Sequence, residues 1–171
     1  MVAKPTILLI AFAAMWAGVG AAGAVRQPVA KAPVQPLPFS HPKHLSNSLE
    51  CAQCHRMPDP GDEATFPPTA VCMSCHERVK SDSPAIQTLT EYHKNGKAVP
   101  WVRVYRLPEF VNFSHKTHVT TGRVDCQGCH GSVRELETMQ KVKDTSMASC
   151  VECHKERSAP LGCTSVCHDS R

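Results

Sequence analysis

Five times in this chain a cysteine pair is followed at once by histidine, and that recurrence limits the possible folds more than any other feature. CAQCH occupies 51–55, CMSCH 72–76, CQGCH 126–130, CVECH 150–154, and a stretched CTSVCH 163–168. The pairs use all ten cysteines: Cys51, Cys54, Cys72, Cys75, Cys126, Cys129, Cys150, Cys153, Cys163 and Cys167. A zinc site needs ligands that converge in space, but not histidine at one offset after every pair. A thioredoxin-like redox motif needs one pair, and a disulfide framework gives the histidine no role. Covalent haem attachment accounts for all three positions. Two thiols add across the vinyl groups of the porphyrin, and the adjacent histidine binds the iron from the proximal side. Five haems c are expected, four at minimum. The reserve concerns Cys163 and Cys167, where three residues separate the pair and a C-terminal disulfide is the alternative.

The histidines complete the count. Of ten, five are proximal: His55, His76, His130, His154 and His168. The other five, His41, His44, His93, His115 and His118, match the five distal positions that bis-histidinyl irons need. Four of these lie in a second repeated motif, FSHPKH at 39–44 and FSHKTH at 113–118. Histidines three apart share one side of a helical turn and can reach two neighbouring haems. Local pairing is expected: His41 and His44 serve the two haem sites that follow them, and His115 and His118 the next two. His93 is left for the last haem. A short helix bounded by Ser83-Pro84 and Asn95-Gly96 would set His93 on one face with Ile86 and Leu89. A buried, satisfied histidine is the alternative there, in which case Met139 or Met147 would ligate the fifth iron.

The chain is a duplication. The FSHxxH motifs are offset by 74 residues, the next haem motifs by 75 and the second haem motifs by 78. The repeats span 39–82 and 113–156, a fifth haem site follows, and the whole domain is 39–171. The stretch AVPWVRVYRLPEFVNFSH, interrupted by Pro100 and Pro108, predicts an extended apolar strap between the halves. A short helix is expected over 133–142. Phe, Trp and Tyr total nine in 171 residues, so side chains alone would make a thin core. The expected fold is a small, mostly irregular and helical multihaem domain with little sheet, its interior filled by porphyrins. The formal charge of +4 comes with no basic run, which excludes a nucleic-acid binder.

Between Pro5 and Val25 there is no charged residue. Residues 1–25 are long enough for one membrane-spanning helix. A secretory signal cleaved near Ala22-Gly23-Ala24 is the other reading. Either exports the rest of the chain. Residues 26–38, rich in Pro and Ala, read as a semi-rigid linker.

The arrangement FSHKTHVTTGRVDCQGCH resembles the class III multihaem cytochromes over residues 39–168. A closer likeness runs from PWVRVYRLPEFVNFSHKTH through CQGCHG to SMASCVECHKE. It is similar to the pentahaem cytochrome subunit of alternative complex III and to the multihaem subunit of the menaquinone reductase complex. The resemblance implies an N-terminal membrane anchor, a haem domain on the periplasmic side of the cytoplasmic membrane, and partner subunits in a quinol-linked respiratory complex. Two departures stand out: the CTSVCH spacing, and a chain short for such a subunit.

The expected function is electron transfer along closely spaced bis-histidinyl haems, with no catalytic residue. A soluble periplasmic shuttle is the alternative in which the leader is removed. A multihaem oxyanion reductase would need an iron with an open side. A zinc-binding structural module would be colourless.

Overall fold

A computed structural model describes residues 31–168. The expected N-terminal apolar helix and the first five residues of the linker lie outside these residues. Among the described residues no helix is long and apolar enough to cross a membrane.

The architecture is helical and irregular, as expected. The helices are α1 (His41–Leu45), α2 (Cys51–Cys54), α3 (Thr69–His76), α4 (Pro84–Lys94), α5 (Cys126–His130) and α6 (Met147–Glu156). Wider or tighter single turns occupy Thr117–Thr121, Val133–Glu135 and Cys163–Cys167. The only β-pairing among the described residues is an isolated antiparallel bridge between Val111 and His168.

The duplication survives in the helix starts. In the first motif of each repeat, cysteine opens the helix: Cys51 follows the capping box of Glu50 and Gln53, and Cys126 follows Asp125. Asp125 caps by accepting from the Gln127 amide at 2.8 Å. In the second motif of each repeat, cysteine comes one turn later, at Cys72 in α3 and Cys150 in α6. Cysteines three apart on such turns present both thiols on one side.

Helix α4 has the boundaries its sequence predicts. Ser83 caps it by accepting from the Ile86 amide, Pro84 is its first residue, and it stops at Asn95, before Gly96 at φ +64°. Gly96 meets the requirement for a left-handed residue just past a helix end. α4 packs on α3. Together they bury Leu89 and Met73, with Leu37 and Val99 joining from the flanking segments. Those four are the whole set of buried apolar side chains among the described residues.

The helix expected over 133–142 shrinks to one tight turn at Val133–Glu135. The far end of the stretch is held elsewhere. The backbone amides of Val142 and Lys143 donate to the Tyr105 hydroxyl at 3.1 and 3.2 Å, so they are not held by helical carbonyls.

The strap is extended, as expected. Gln35 pairs with it on both sides, receiving the Val102 amide and donating to the Val102 carbonyl, each at 2.9 Å. The second repeat then docks on the loop that follows the first haem motif. The Gly61 carbonyl accepts from the Lys116 amide at 2.9 Å and from the Ser114 hydroxyl at 3.3 Å. Lys116 also pairs with Asp59. Gly61 sits at φ +94°, and a Cβ there would collide with the Lys116 side chain. A left-handed non-glycine residue costs about 1–3 kcal/mol. Gly61→Ala is therefore expected to destabilise the holoprotein by at least that range, read as a lowered midpoint in denaturant.

Candidate functional site

The FSHxxH motif builds a pair of oriented imidazoles. Ser40 caps α1 by accepting from the Lys43 amide at 3.3 Å, and Ser114 does the same for the Thr117 amide at 3.2 Å. The carbonyl of the same serine accepts from the second histidine. His44 Nδ1 lies 2.8 Å from the Ser40 oxygen and His118 Nδ1 2.8 Å from the Ser114 oxygen. Phenylalanine supplies the buttress. Phe39 stacks on His44 at 4.3 Å and meets His41 edge-on at 4.8 Å. Phe113 repeats this with His118 at 4.5 Å and His115 at 4.8 Å. The sequence reading used only the histidines of this motif. The recurrence of Phe and Ser in both copies was the signal for the rest.

Each of these four histidines faces one from a cysteine motif. Ring centroids are 6.4 Å apart for His41 and His55, 6.1 Å for His44 and His76, 6.3 Å for His115 and His130, and 6.0 Å for His118 and His154. A first-row metal binds imidazole nitrogen at about 2 Å. Two rings on opposite sides of one ion then have centroids roughly 6 Å apart once each ring's own radius is added. The spacing leaves room for a metal ion between each pair.

Nitrogen chemistry agrees. A backbone carbonyl can only accept, so an imidazole nitrogen bonded to one must carry the proton. Besides His44 and His118, this holds for His55 Nδ1 to the Thr65 oxygen at 3.0 Å, His76 to Val79 at 2.9 Å, His115 to Asp62 at 2.7 Å and His154 to Pro160 at 2.7 Å. In the neutral ring the other nitrogen, Nε2, then keeps its lone pair, which is the form that ligates metal. The Nδ1 atoms of His41 and His168 are buried without a protein partner.

The pairs fall into two geometries. The rings of the first pair in each repeat are near parallel, at 18° and 3°. Those of the second pair are turned by 58° and 50°.

His93 and His168 are in different surroundings. His93 Nδ1 lies 3.1 Å from the hydroxyl of Thr69, a buried residue of α3. His168 lies against the strap, its ring 5.6 Å from that of Phe110. Of the two candidate methionines, Met147 is 71% exposed at the start of α6, and Met139 is half-buried. Tyr105, also from the strap, meets His130 edge-on at 4.6 Å. The ten cysteines form no disulfide, and each is half-buried or exposed.

Burial depresses two imidazoles. His41 is held down at about 4, by desolvation first and then by His55 and His44. His130 is lowered by burial, then by His115 and His55. Both shifts favour the neutral ring, which is the form that ligates metal.

Residues 20–101, just under half of the chain, match the model of the class III cytochrome c family. That segment carries His41, His44 and the first two cysteine motifs. The chain is also similar to a menaquinone reductase, multiheme cytochrome c subunit, from Nitratidesulfovibrio vulgaris. It is 41% identical over 105 residues, covering 60% of this chain and 49% of the relative. The chain thus spans about half the length of that relative. The resemblance drawn from the motifs is borne out by both findings. A likeness to that family implies covalently bound haem, and the residues fit such a group: paired thiols beside a histidine, and a second histidine across a gap of suitable width.

Proposed function

We propose that this chain is a multihaem class III c-type cytochrome that carries electrons, as a periplasmic subunit of a quinol-linked respiratory complex held to the membrane by its N-terminal segment. The single observation that carries the reading is the set of four imidazole pairs at 6.0–6.4 Å, each joining a cysteine-motif histidine to an FSHxxH histidine. Cys51 and Cys54 with His55 and His41 would hold one haem. Cys72 and Cys75 with His76 and His44 would hold a second. Cys126 and Cys129 with His130 and His115 would hold a third, and Cys150 and Cys153 with His154 and His118 a fourth. Cys163, Cys167 and His168 would hold a fifth. The haem supplies one-electron redox chemistry, with a potential set by its axial ligands and surroundings.

The protein's part is orientation and exclusion. Six carbonyls fix the imidazole tautomers, and the Phe39 and Phe113 rings lock the distal histidines. Preset ligands change little between oxidation states, which keeps reorganisation small. At the four paired sites two histidines would ligate the iron and leave no coordination site for a substrate there, which favours a carrier over a reductase. The similarity to a menaquinone reductase subunit supports a place beside other redox subunits.

Intact mass of the purified protein, together with electron paramagnetic resonance, tests this. The mass should exceed that of the polypeptide by four or five macrocycles. Parallel imidazoles donate into the same iron orbital and turned ones into different orbitals, so two classes of low-spin signal are expected, with two haems in each. A colourless protein, or high-spin iron throughout, would overturn the reading.

A further inference from the structure

We infer that the haem sites form one unbranched row, in the spatial order 72–76, 51–55, 126–130, 150–154, 163–168. The two repeats then meet head to head through their first sites, and the row ends at His76 and at His168. This rests on the haem-carrying reading above and adds a route to it.

Within each repeat the link is a helical turn. His41 and His44 face His55 and His76 from one turn of α1, so those two sites adjoin. His115 and His118 do the same for His130 and His154.

Between repeats the link is made by the first sites. The ring that faces His130, His115, is tied through Nδ1 to the Asp62 carbonyl, in the loop just after His55. α1 packs on the Val133–Glu135 turn that follows His130, and Arg134 reaches Glu50, beside Cys51, at 3.8 Å.

The fifth site joins at the far side. The His154 Nδ1 bond to the Pro160 carbonyl folds the intervening segment back on α6. The segment is held there by the Asn112 amide, which donates to the Cys167 carbonyl at 2.8 Å, and by the Val111 bridge.

The route does not follow the sequence. An electron crossing between repeats passes the junction of 51–55 with 126–130, and the second motif, not the first, is terminal. His93 belongs to the His76 end through α4 and Thr69, so on this order it is not the partner of His168.

Two-dimensional proton spectra of the fully reduced, diamagnetic holoprotein test the order. Each haem is assigned by its contacts with its own cysteine motif. Cross-peaks between haem methyls are expected for the four neighbouring pairs of the row. His93→Gln is expected to leave the ligation of the 163–168 haem unchanged. Contacts between the 72–76 haem and those at 150–154 or 163–168 would overturn the order. So would missing contacts between the 51–55 and 126–130 haems, or loss of low-spin ligation at 163–168 in His93→Gln. Intact mass on the same sample separates the two failures: if the macrocycles are absent, the haem reading itself falls.

Discussion

Made without haem attachment, this chain is expected to lose its cooperative unfolding transition altogether. Four buried apolar side chains, Leu37, Met73, Leu89 and Val99, are all the core the described residues possess. None of the larger side chains is fully buried, and Phe39, Phe66 and Phe110 are 38%, 39% and 50% exposed. Ordering each residue's backbone costs about 1–2 kcal/mol. Domains with so little buried surface need covalent or metal staples to stay folded. The ten histidines are all half-buried, and eight of them face one another in pairs across gaps. Cysteine-to-serine replacement at all ten positions, or expression where haem is not attached, should give a chain without a thermal transition by circular dichroism and open to protease along 41–168. A sharp transition in that haem-free chain would show that side chains suffice, and would remove the reason for assigning the interior to porphyrins.

The second large effect is expected from His115→Ala. This residue has two tasks. Its ring faces His130 at 6.3 Å and 3°, and its Nδ1 holds the Asp62 carbonyl of the other repeat at 2.7 Å. Truncation should open one axial position, turning one low-spin haem into a high-spin haem that binds carbon monoxide when reduced. The wild type should show no such site among the four paired haems. The lost hydrogen bond adds about 1 kcal/mol of destabilisation. Added imidazole should restore the low-spin spectrum without restoring the bond to Asp62, which separates ligation from folding. If His115→Ala stays low-spin with no added ligand, the pairing of His115 with His130 across an iron is wrong.

Much of the site was legible from residue types. The offset of histidine after each cysteine pair follows from a chemical requirement at three positions within five or six residues, and such a requirement leaves a mark in one dimension. The three-residue spacing of His41 and His44, and of His115 and His118, is equally local, because one helical turn places such residues side by side. The ends of α4 were readable because proline and glycine act on their own backbone angles. The stretch 133–142 holds only one tight turn, and its far end is tied by the amides of Val142 and Lys143 to Tyr105, 37 and 38 positions away. No local pattern records such a partner.

The sequence by itself determined which residues form the cysteine–histidine and FSHxxH motifs and which histidines share a helical turn, since both patterns act over a few residues. Only the tertiary structure decided how the two repeats face each other, through Gly61, Asp62 and Lys116, and why His93 lies on Thr69 while His168 lies on the strap. Those contacts join residues more than twenty positions apart. They depend on which of many possible packings excludes water and satisfies the backbone, a choice made only when the whole chain is assembled.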